Sequence, residues 1–237
     1  MNPLRRKPKM SLQAKLDAVR QDFESKIPSN ALAVMHASTD ALIASGHARR
    51  ALQTGDHAPE FALPDSEGTV FTSHDLRLKG PIVITFYRGV WCPYCNLELQ
   101  ALEGMRTDIQ ARGATLIAIS QQTPGNSRAS RRDNALGFPI LIDKCGVVAA
   151  EFGIRWTLEG SIRTLYEQFG VNLETFNGEP SWTLPIPGRY IIDTRGVIAY
   201  AEINPDYTRR PEPEELLPVL DALLENAGVY RETENAL

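Results

Sequence analysis

Two cysteines stand three positions apart in the segment Trp91-Cys92-Pro93-Tyr94-Cys95. At the start of a helix, this spacing can bring two Cβ atoms within the short distance that a disulfide needs. The positive end of the helix dipole also favours a thiolate, which is the nucleophilic form of cysteine. Trp91 adds a flat apolar surface beside the pair. The segment therefore predicts a redox-active pair that is attacked, oxidised and reduced again.

Two less reactive explanations of the pair are open. The pair could be half of a structural zinc site, which would need two further ligands at suitable spacing. It could also be two buried cysteines with no redox function. The other candidate ligands are scattered singly along the chain: His36, His47, His57, His74 and Cys145. We therefore predict no metal and no other cofactor. Cys145 is expected to be a small packed residue, with a role as a resolving thiol as the alternative.

The elements around the pair must place it at a helix entrance. Residues 82–87 form an unbroken run of β-branched and aromatic side chains, which is typical of a central strand covered on both faces. After the cysteines, Leu99, Leu102 and Met105 recur at roughly helical spacing, and Pro93 suits the first helical position. The sequence thus predicts a strand, a short loop and a helix, with both cysteines where the helix begins.

The rest of the chain alternates between strands and helices. The predicted elements are strands at 116–120 and 139–143, helices at 126–136, 147–152 and 159–169, a hairpin at 190–203 and a closing helix at 214–225. Residues 11–50 carry helical spacing with no evident chemistry. These patterns predict a layered α/β domain at residues 52–237, preceded by an N-terminal helical extension at residues 1–51.

The composition argues against several function classes. Of the 237 residues, 43% are hydrophobic and 23% are charged, and the formal net charge of −4 gives no basic surface for nucleic acid. Three cysteines are too few for a disulfide framework. Residues 1–9 are basic and are expected to be a solvated tail. No apolar run follows them and none reaches the length of a membrane span, so we expect no secretory signal, no membrane segment and a cytoplasmic location.

Several segments resemble those of one enzyme family. They are residues 55–64 (GDHAPEFALP), Phe86-Tyr87 leading into a cysteine, Glu98 three positions after Cys95, and residues 138–143 (FPILID). Over residues 53–225 the chain is similar to the peroxiredoxin superfamily of alkyl hydroperoxide reductase and thiol-specific antioxidant. The resemblance implies a thioredoxin fold, with a central mixed β-sheet flanked by helices. It also implies no cofactor beyond a redox-active cysteine pair and an external thiol reductant.

The cysteine segment departs from the pattern of that family. Peroxiredoxins carry P-x-x-x-T-x-x-C around the cysteine that attacks peroxide. In this register Arg88 takes the proline place, Cys92 the threonine place and Cys95 the catalytic place. C-P-Y-C is instead the glutaredoxin motif, and Pro187 resembles the cis-proline that thioredoxin-type enzymes set beside it. The family also polarises the peroxide with an arginine from a later strand, for which Arg189 and Arg88 are the candidates.

Three functions fit the pair. In a peroxiredoxin-like peroxidase, which we favour, Cys95 attacks a hydroperoxide and Cys92 resolves the sulfenic acid to a disulfide. In a thioredoxin- or glutaredoxin-like disulfide oxidoreductase, Cys92 attacks a disulfide substrate and Cys95 releases the product. In a non-enzymatic redox sensor, the disulfide would be a switch and the helical extension the interacting part. Either enzyme needs a thioredoxin- or glutathione-type reductant, and the apolar helical face of the extension suits a homodimer.

Two further features bear on the site. Glu98 is expected to orient its neighbours in the first part of the helix, or to cap backbone N–H groups. The loop at residues 205–210 (PDYTRR) is expected to be a solvated turn. The alternative for this loop is a rim of the active site that supplies an arginine.

Overall fold

The computed structural model of the protein describes residues 10–234, and for residues 227–234 it describes the helical backbone alone. The basic segment at residues 1–9, predicted to be a solvated tail, lies outside the described residues. The helices in this range are α1 (Leu12–Glu24), α2 (Ser29–Ala44), α3 (His47–Arg50), α4 (Ser73–Arg77), α5 (Pro93–Ala111), α6 (Pro124–Asp133), α7 (Val147–Glu151), α8 (Ser161–Gln168), α9 (Leu173–Asn177) and α10 (Leu216–Glu234). None of them is long and apolar enough to span a membrane.

The strands in the described range are β1 (Ala62–Pro64), β2 (Val70–Thr72), β3 (Ile82–Phe86), β4 (Thr115–Ser120), β5 (Ile140–Ile142), β6 (Arg155–Thr157), β7 (Thr183–Pro185), β8 (Gly188–Ile192) and β9 (Ile198–Ile203). Five of them form a central sheet in the order β5-β4-β3-β8-β9. β4 is parallel to β3 and β5, whereas β8 is antiparallel to β3 and β9. The predicted mixed sheet is therefore confirmed. All of β3 is buried, as expected for a strand covered on both faces.

Alternate residues of the central strands contribute to two separate cores. On one face, Val83 packs in the same core as Leu99 and Leu102 of α5. On the other face, Ile84 packs in a core with Phe152, which follows α7. The helix that carries the cysteines thus lies on a buried apolar layer, and this layer fixes its position relative to the end of β3.

The first N-terminal helix, α1, packs on the same face of the sheet as α5. Leu12 and Leu16 of α1 are buried in the core that contains α5. The Glu212 carboxylate accepts hydrogen bonds from the backbone N–H groups of Leu12 (2.9 Å) and Gln13 (3.0 Å), which have no partner within the helix. α2 packs against α8. The division of the chain after residue 51 stays a prediction.

The segment around Pro187 differs from the prediction. No described residue has a cis peptide bond, so Pro187 is not the cis-proline that the resemblance implied. The chain stays extended from β7 into β8, and the backbone N–H of Ile186 donates to the carbonyl of Ile154 at 2.7 Å. The trans form is the ordinary state of a peptide bond before proline.

Candidate active site

The two cysteines lie at the junction between β3 and α5, so the predicted strand, loop and helix are present around them. Cys92 is the N-cap residue of α5, and its Sγ accepts a hydrogen bond from the backbone N–H of Cys95 at 3.4 Å. Pro93 begins the helix, where its missing N–H costs no helical hydrogen bond. Both thiols are free, with 1% of Cys92 and 0% of Cys95 exposed. A thiolate at Cys92 therefore faces the N–H groups of the helix start.

The loop before Cys92 folds Trp91 back over its own backbone. Gly89 has a φ of +153°, and a Cβ atom there would lie 2.6 Å from Nε1 of Trp91, so glycine is required for this close approach. The loop is held from both sides. The N–H of Val90 donates to Oε1 of Gln122 at 2.9 Å, and its carbonyl accepts from Nδ2 of Asn96 at 2.9 Å. Trp91 is thereby fixed as a wall beside the cysteine pair.

Glu98, one turn after Cys95, binds two buried arginines. Its Oε1 accepts from Nη2 of Arg189 at 2.9 Å, and its Oε2 accepts from Nε of Arg210. Arg189 reaches it because the sheet register sets Arg189 on β8 opposite Thr85 on β3. Burial alone would raise the pKa of Glu98, but the two guanidinium groups lower it below its ordinary value. Glu98 is therefore an ionised anchor for two arginines rather than a cap for backbone N–H groups.

Arg210 contradicts the predicted solvated turn at residues 205–210. Its side chain is buried, with 6% exposed, and its Nη2 lies 3.8 Å from Sγ of Cys95. The guanidinium turns inward because Glu98 is a buried carboxylate, which is costly without a cation in contact. Nη1 donates to two backbone carbonyls of its own loop. The loop thus supplies an arginine to the site, which was the alternative prediction.

Arg88 lies in an aromatic enclosure. Its guanidinium carbon is 4.1 Å from the ring centre of Tyr207 and 4.8 Å from that of Trp91, within the range of cation–π contacts. Nη2 donates to the hydroxyl of Tyr166, whereas Nε and Nη1 have no hydrogen-bond partner among the described residues. A buried donor without a partner costs about 1–3 kcal/mol, so the aromatic contacts and the Tyr166 hydroxyl must offset this cost to hold Arg88 in place.

The two arginines offered by the sequence as peroxide-polarising groups have different surroundings. Arg189 directs its Nη groups to Glu98 and to the backbone carbonyls of Pro211 and Glu212. Arg88 instead borders a pocket and lowers the pKa of Cys92 through its positive charge. The structure therefore brings Arg88 to the reactive side of the site and Arg189 to its buried side.

The charges around the pair make the two thiols unequal. Burial alone would raise the pKa of Cys92, but a hydrogen bond from the Cys95 thiol and the guanidinium groups of Arg88 and Arg210 lower it. The pKa of Cys95 is raised, first by burial and then by the adjacent Cys92. In this cluster three buried arginines face one buried carboxylate, Glu98. The surplus positive charge favours a thiolate at Cys92.

Cys92 borders a pocket of about 400 Å³, and Cys95 does not. The predicted supporting residues Trp91, Pro93 and Tyr94 all line it. The volume lies within the usual range of small-molecule sites. A small molecule that enters this pocket therefore meets the Cys92 thiol and not the Cys95 thiol.

Other walls of the pocket come from aromatic and apolar residues that were not among the predicted site residues. Phe23 lies on α1, Met35 on α2, Tyr166 on α8 and Tyr207 in the loop before Arg210. These residues are far from the cysteines along the chain, and their local patterns match those of ordinary core residues. The apolar helical spacing at residues 11–50 signalled a packing surface but not what it would cover.

Cys145 does not border the pocket of Cys92. It is half-buried in a 3-10 turn at Lys144–Gly146, and its backbone carbonyl accepts a hydrogen bond from Arg155. Its role as a packed residue stays a prediction. Within residues 10–234, no group of three or more His, Cys, Asp and Glu side chains is arranged to hold a metal ion.

Comparison with known proteins gives the site a family context. The AhpC/TSA family matches residues 54–201. A protein of Mycobacterium tuberculosis, named provisionally as a peroxiredoxin, is 29% identical over 111 residues, which cover 47% of this chain and 72% of that protein. The thiol-disulfide oxidoreductase ResA of Halalkalibacterium halodurans is 32% identical over 108 residues, which cover 45% of this chain and 60% of ResA.

Solved structures share the fold. Peroxidoxin BcpB of Mycobacterium tuberculosis has a TM-score of 0.57 at 22% identity, and the match covers 72% of this chain and 97% of BcpB. AhpC of Enterococcus faecalis has a TM-score of 0.56 at 20% identity, and the match covers 74% of this chain and 95% of that AhpC. At these identities the structures show the thioredoxin-like fold alone, whereas the family match spans more than half of the chain. The chain therefore belongs to the AhpC/TSA family and is a peroxiredoxin-like thiol oxidoreductase.

Proposed function

We propose that this chain is a thiol peroxidase in which Cys92 attacks a hydroperoxide and Cys95 resolves the product to a disulfide. The observation that carries the proposal is that Cys92, together with Arg88, borders the pocket. A substrate there meets a thiol with a lowered pKa and the positive charge of Arg88. Attack of a thiolate on an O–O bond requires a nucleophile and a group that stabilises the leaving oxygen, and the pocket offers both.

The proposed cycle has three balanced steps. The Cys92 thiolate attacks the terminal oxygen of ROOH, the O–O bond breaks, Cys92 becomes a sulfenic acid and RO⁻ takes a proton from solvent to leave as ROH. The Cys95 thiol then attacks the sulfenic sulfur, and a disulfide and water form. An external thiol reductant reduces the disulfide to the dithiol and is itself oxidised to a disulfide.

The proposed order of attack reverses the one that the family register implies. In that register Cys95 attacks, but here Cys95 is fully buried and its pKa is raised, which disfavours its thiolate. Cys92 borders the pocket, and its Sγ already accepts a hydrogen bond from the N–H of Cys95. Resolution therefore needs movement within a single helical turn. The proposal combines a thioredoxin-like order of attack with the peroxidase reaction.

Arg88 is proposed to act where negative charge develops on the substrate. As the O–O bond breaks, charge builds on the leaving oxygen, and donors already in place stabilise it best in a site that excludes water. The rings of Trp91 and Tyr207 and the hydroxyl of Tyr166 hold the guanidinium in position. Arg88 thus fits the peroxide-polarising role better than Arg189, which is paired with a carboxylate.

Glu98, Arg189 and Arg210 are proposed to be positioning residues. Glu98 holds Arg210, and Arg210 lies 3.8 Å from Sγ of Cys95. When a reductant attacks Cys92 in the disulfide, Cys95 leaves as a thiolate, and a thiolate that is stabilised leaves faster. The cation beside Cys95 therefore assists reduction, in addition to lowering the pKa of Cys92 for the first attack.

The remaining parts of the proposal rest on the sequence and on the family. The reductant is proposed to be a thioredoxin- or glutathione-type thiol, and no metal or other cofactor is needed for any step. The homodimer and the cytoplasmic location stay predictions.

A disulfide oxidoreductase is the second candidate function. The lowered pKa of Cys92, the N-terminal thiol of C-P-Y-C, favours it, as does the likeness to ResA, of which the match covers 60%. Cys92 would then attack a disulfide instead of a peroxide. Its exposure of 1% at the pocket favours a small disulfide over one on a protein surface.

Rapid mixing of the fully reduced protein with a hydroperoxide, followed by tryptophan fluorescence, tests the proposed function. We expect oxidation to be much faster than that of a free thiol, and Cys92→Ser to lower it to that background. Cys95→Ser should still consume one equivalent of peroxide and stop at a sulfenic acid that a specific probe labels.

Three results would contradict this proposal. Oxidation no faster than that of a free thiol would remove the peroxidase function. Rapid oxidation of Cys92→Ser, with loss of the rapid phase in Cys95→Ser, would restore the order that the family register implies. Turnover of glutathione disulfide without turnover of any peroxide would establish the second candidate.

A further inference from the structure

The pocket beside Cys92 is closed by parts of the chain outside the matched family region. That region covers residues 54–201. Phe23 on α1 and Met35 on α2 precede it, and Tyr207 follows it in the loop after β9. The family domain therefore carries the thiols, and the additions on either side of it supply much of the wall that a substrate would touch.

The N-terminal helices meet α8 across this pocket. Phe23 contacts Phe169, which follows α8, edge to face with ring centres 6.1 Å apart. Tyr166 of α8 contacts Trp91 in the same manner at 5.6 Å. Among the described residues that line the pocket, Arg88 is the one charged side chain outside the thiol itself. The space over Cys92 is thus enclosed by rings and apolar side chains around a single cation.

This lining suits a substrate with one polar end and an apolar body. Hydrogen peroxide is small and polar throughout, so it would leave the apolar walls in contact with water. An organic hydroperoxide places its –OOH group beside Cys92 and the positive charge of Arg88, which both line the pocket. Its alkyl or aryl group would then cover the walls and remove their apolar surface from water, which is favourable.

On the basis of the proposed function, we infer that Phe23 and Met35 form a specificity site for the alkyl or aryl group of an organic hydroperoxide. The enzyme therefore prefers bulky apolar hydroperoxides to hydrogen peroxide. The N-terminal helical extension has a function of its own here, because it supplies the substrate-binding wall opposite α8.

The ratio of kcat/KM for cumene hydroperoxide to kcat/KM for hydrogen peroxide tests this inference. We expect a wild-type ratio above about ten, and a fall of about tenfold in Phe23→Ala and in Met35→Ala, which corresponds to loss of a small apolar contact area. The constant for hydrogen peroxide is measured in the same variants and should fall less than that for cumene hydroperoxide, because hydrogen peroxide has no apolar group to contact the wall. Ile43→Ala is the matched control, since Ile43 is exposed on α2 and does not line the pocket.

Phe23→Leu distinguishes loss of a substrate contact from loss of α1 packing, because it keeps an apolar side chain while removing the ring. It should lower the ratio for cumene hydroperoxide more than the ratio for tert-butyl hydroperoxide. A wild-type preference for hydrogen peroxide, or unchanged ratios in the wall variants, would overturn the inference while leaving the peroxidase function intact. Failure to reduce any of the three peroxides would instead refute the proposed function.

Discussion

The two sides of the cysteine pair differ in the side chains that surround them. On the side of Cys92, aromatic and apolar walls enclose a cation with unpaired donors. On the side of Cys95, the Glu98 carboxylate and two guanidinium groups pair with one another in the interior. Although the two sulfur atoms lie in one helical turn, their surroundings lower the pKa of Cys92 and raise that of Cys95. The side of Cys92 borders a pocket that can receive a ligand, whereas the paired groups on the side of Cys95 hold the site in place.

Glu98→Gln tests the buried side and is expected to have the largest effect. It leaves Arg189 and Arg210 buried without their counter-charge, which should lower the free energy of unfolding by about 3–5 kcal/mol. Glu167→Gln is the matched control, because it breaks an exposed pair with Arg163, and its cost should stay under about 1 kcal/mol. Urea unfolding of both variants at neutral pH gives the comparison. Equal decreases in the free energy of unfolding would show that the buried ion pairs of Glu98 stabilise the protein no more than an exposed pair does.

The same carboxylate predicts how stability depends on pH. Because the pKa of Glu98 is lowered in the folded protein, its contribution is complete above the ordinary Glu pKa of about 4.3. The contribution is then lost as the pH falls through that value toward the lowered one. The difference between wild type and Glu98→Gln in free energy of unfolding should therefore shrink in acid. A difference that stays constant down to about pH 3 would contradict an ionised pair.

Arg88→Met tests the reactive side. We expect the rate of oxidation by peroxide to fall about 100-fold, because the leaving oxygen loses its donors; loss of the cation also raises the pKa of Cys92. Arg163→Met is the matched control, since it removes another cation that lies over a ring, that of Trp182 at 4.4 Å, and does not line the pocket. Rapid mixing measures both rates. A wild-type rate in Arg88→Met would show that the enclosed cation takes no part.

Gly89→Ala tests the loop that joins the two sides and should have the smallest effect. The positive φ and the clash with Trp91 are expected to cost about 1–3 kcal/mol of the free energy of unfolding. Gly104→Ala is the control, because a Cβ atom at this helical position meets open space and should stabilise by up to about 1 kcal/mol. Thermal and urea unfolding distinguish the two variants. A Gly89→Ala variant as stable as wild type would show that Trp91 is free to move.

The local parts of the site could be predicted from the sequence, because short-range preferences determine them. The β-branched run at residues 82–87 and the position of Pro93 fix the strand and the helix start, so the place of both cysteines follows from their spacing. Arg210 lies 115 positions after Cys95. No local pattern separates an arginine that turns inward toward a buried carboxylate from one in a solvated turn, and that prediction was wrong.

The order of attack depends on tertiary contacts, which an alignment of this sequence with the family motif does not show. The register places Cys95 at the catalytic position. The pocket and the lowered pKa of Cys92 instead arise from Arg88, Tyr166 and Tyr207, which meet only in the folded chain. The C-P-Y-C motif likewise did not determine the peptide bond before Pro187, which is trans and not cis.

The central claim is that Cys92 is the thiolate that acts first. Limited alkylation of the reduced wild-type protein with iodoacetamide near neutral pH, with the modified residues identified by mass spectrometry, tests it most directly. Cys92 should be modified before Cys95, and its rate should fall when acid protonates the thiolate below its lowered pKa. Modification of Cys95 ahead of Cys92 would contradict the claim.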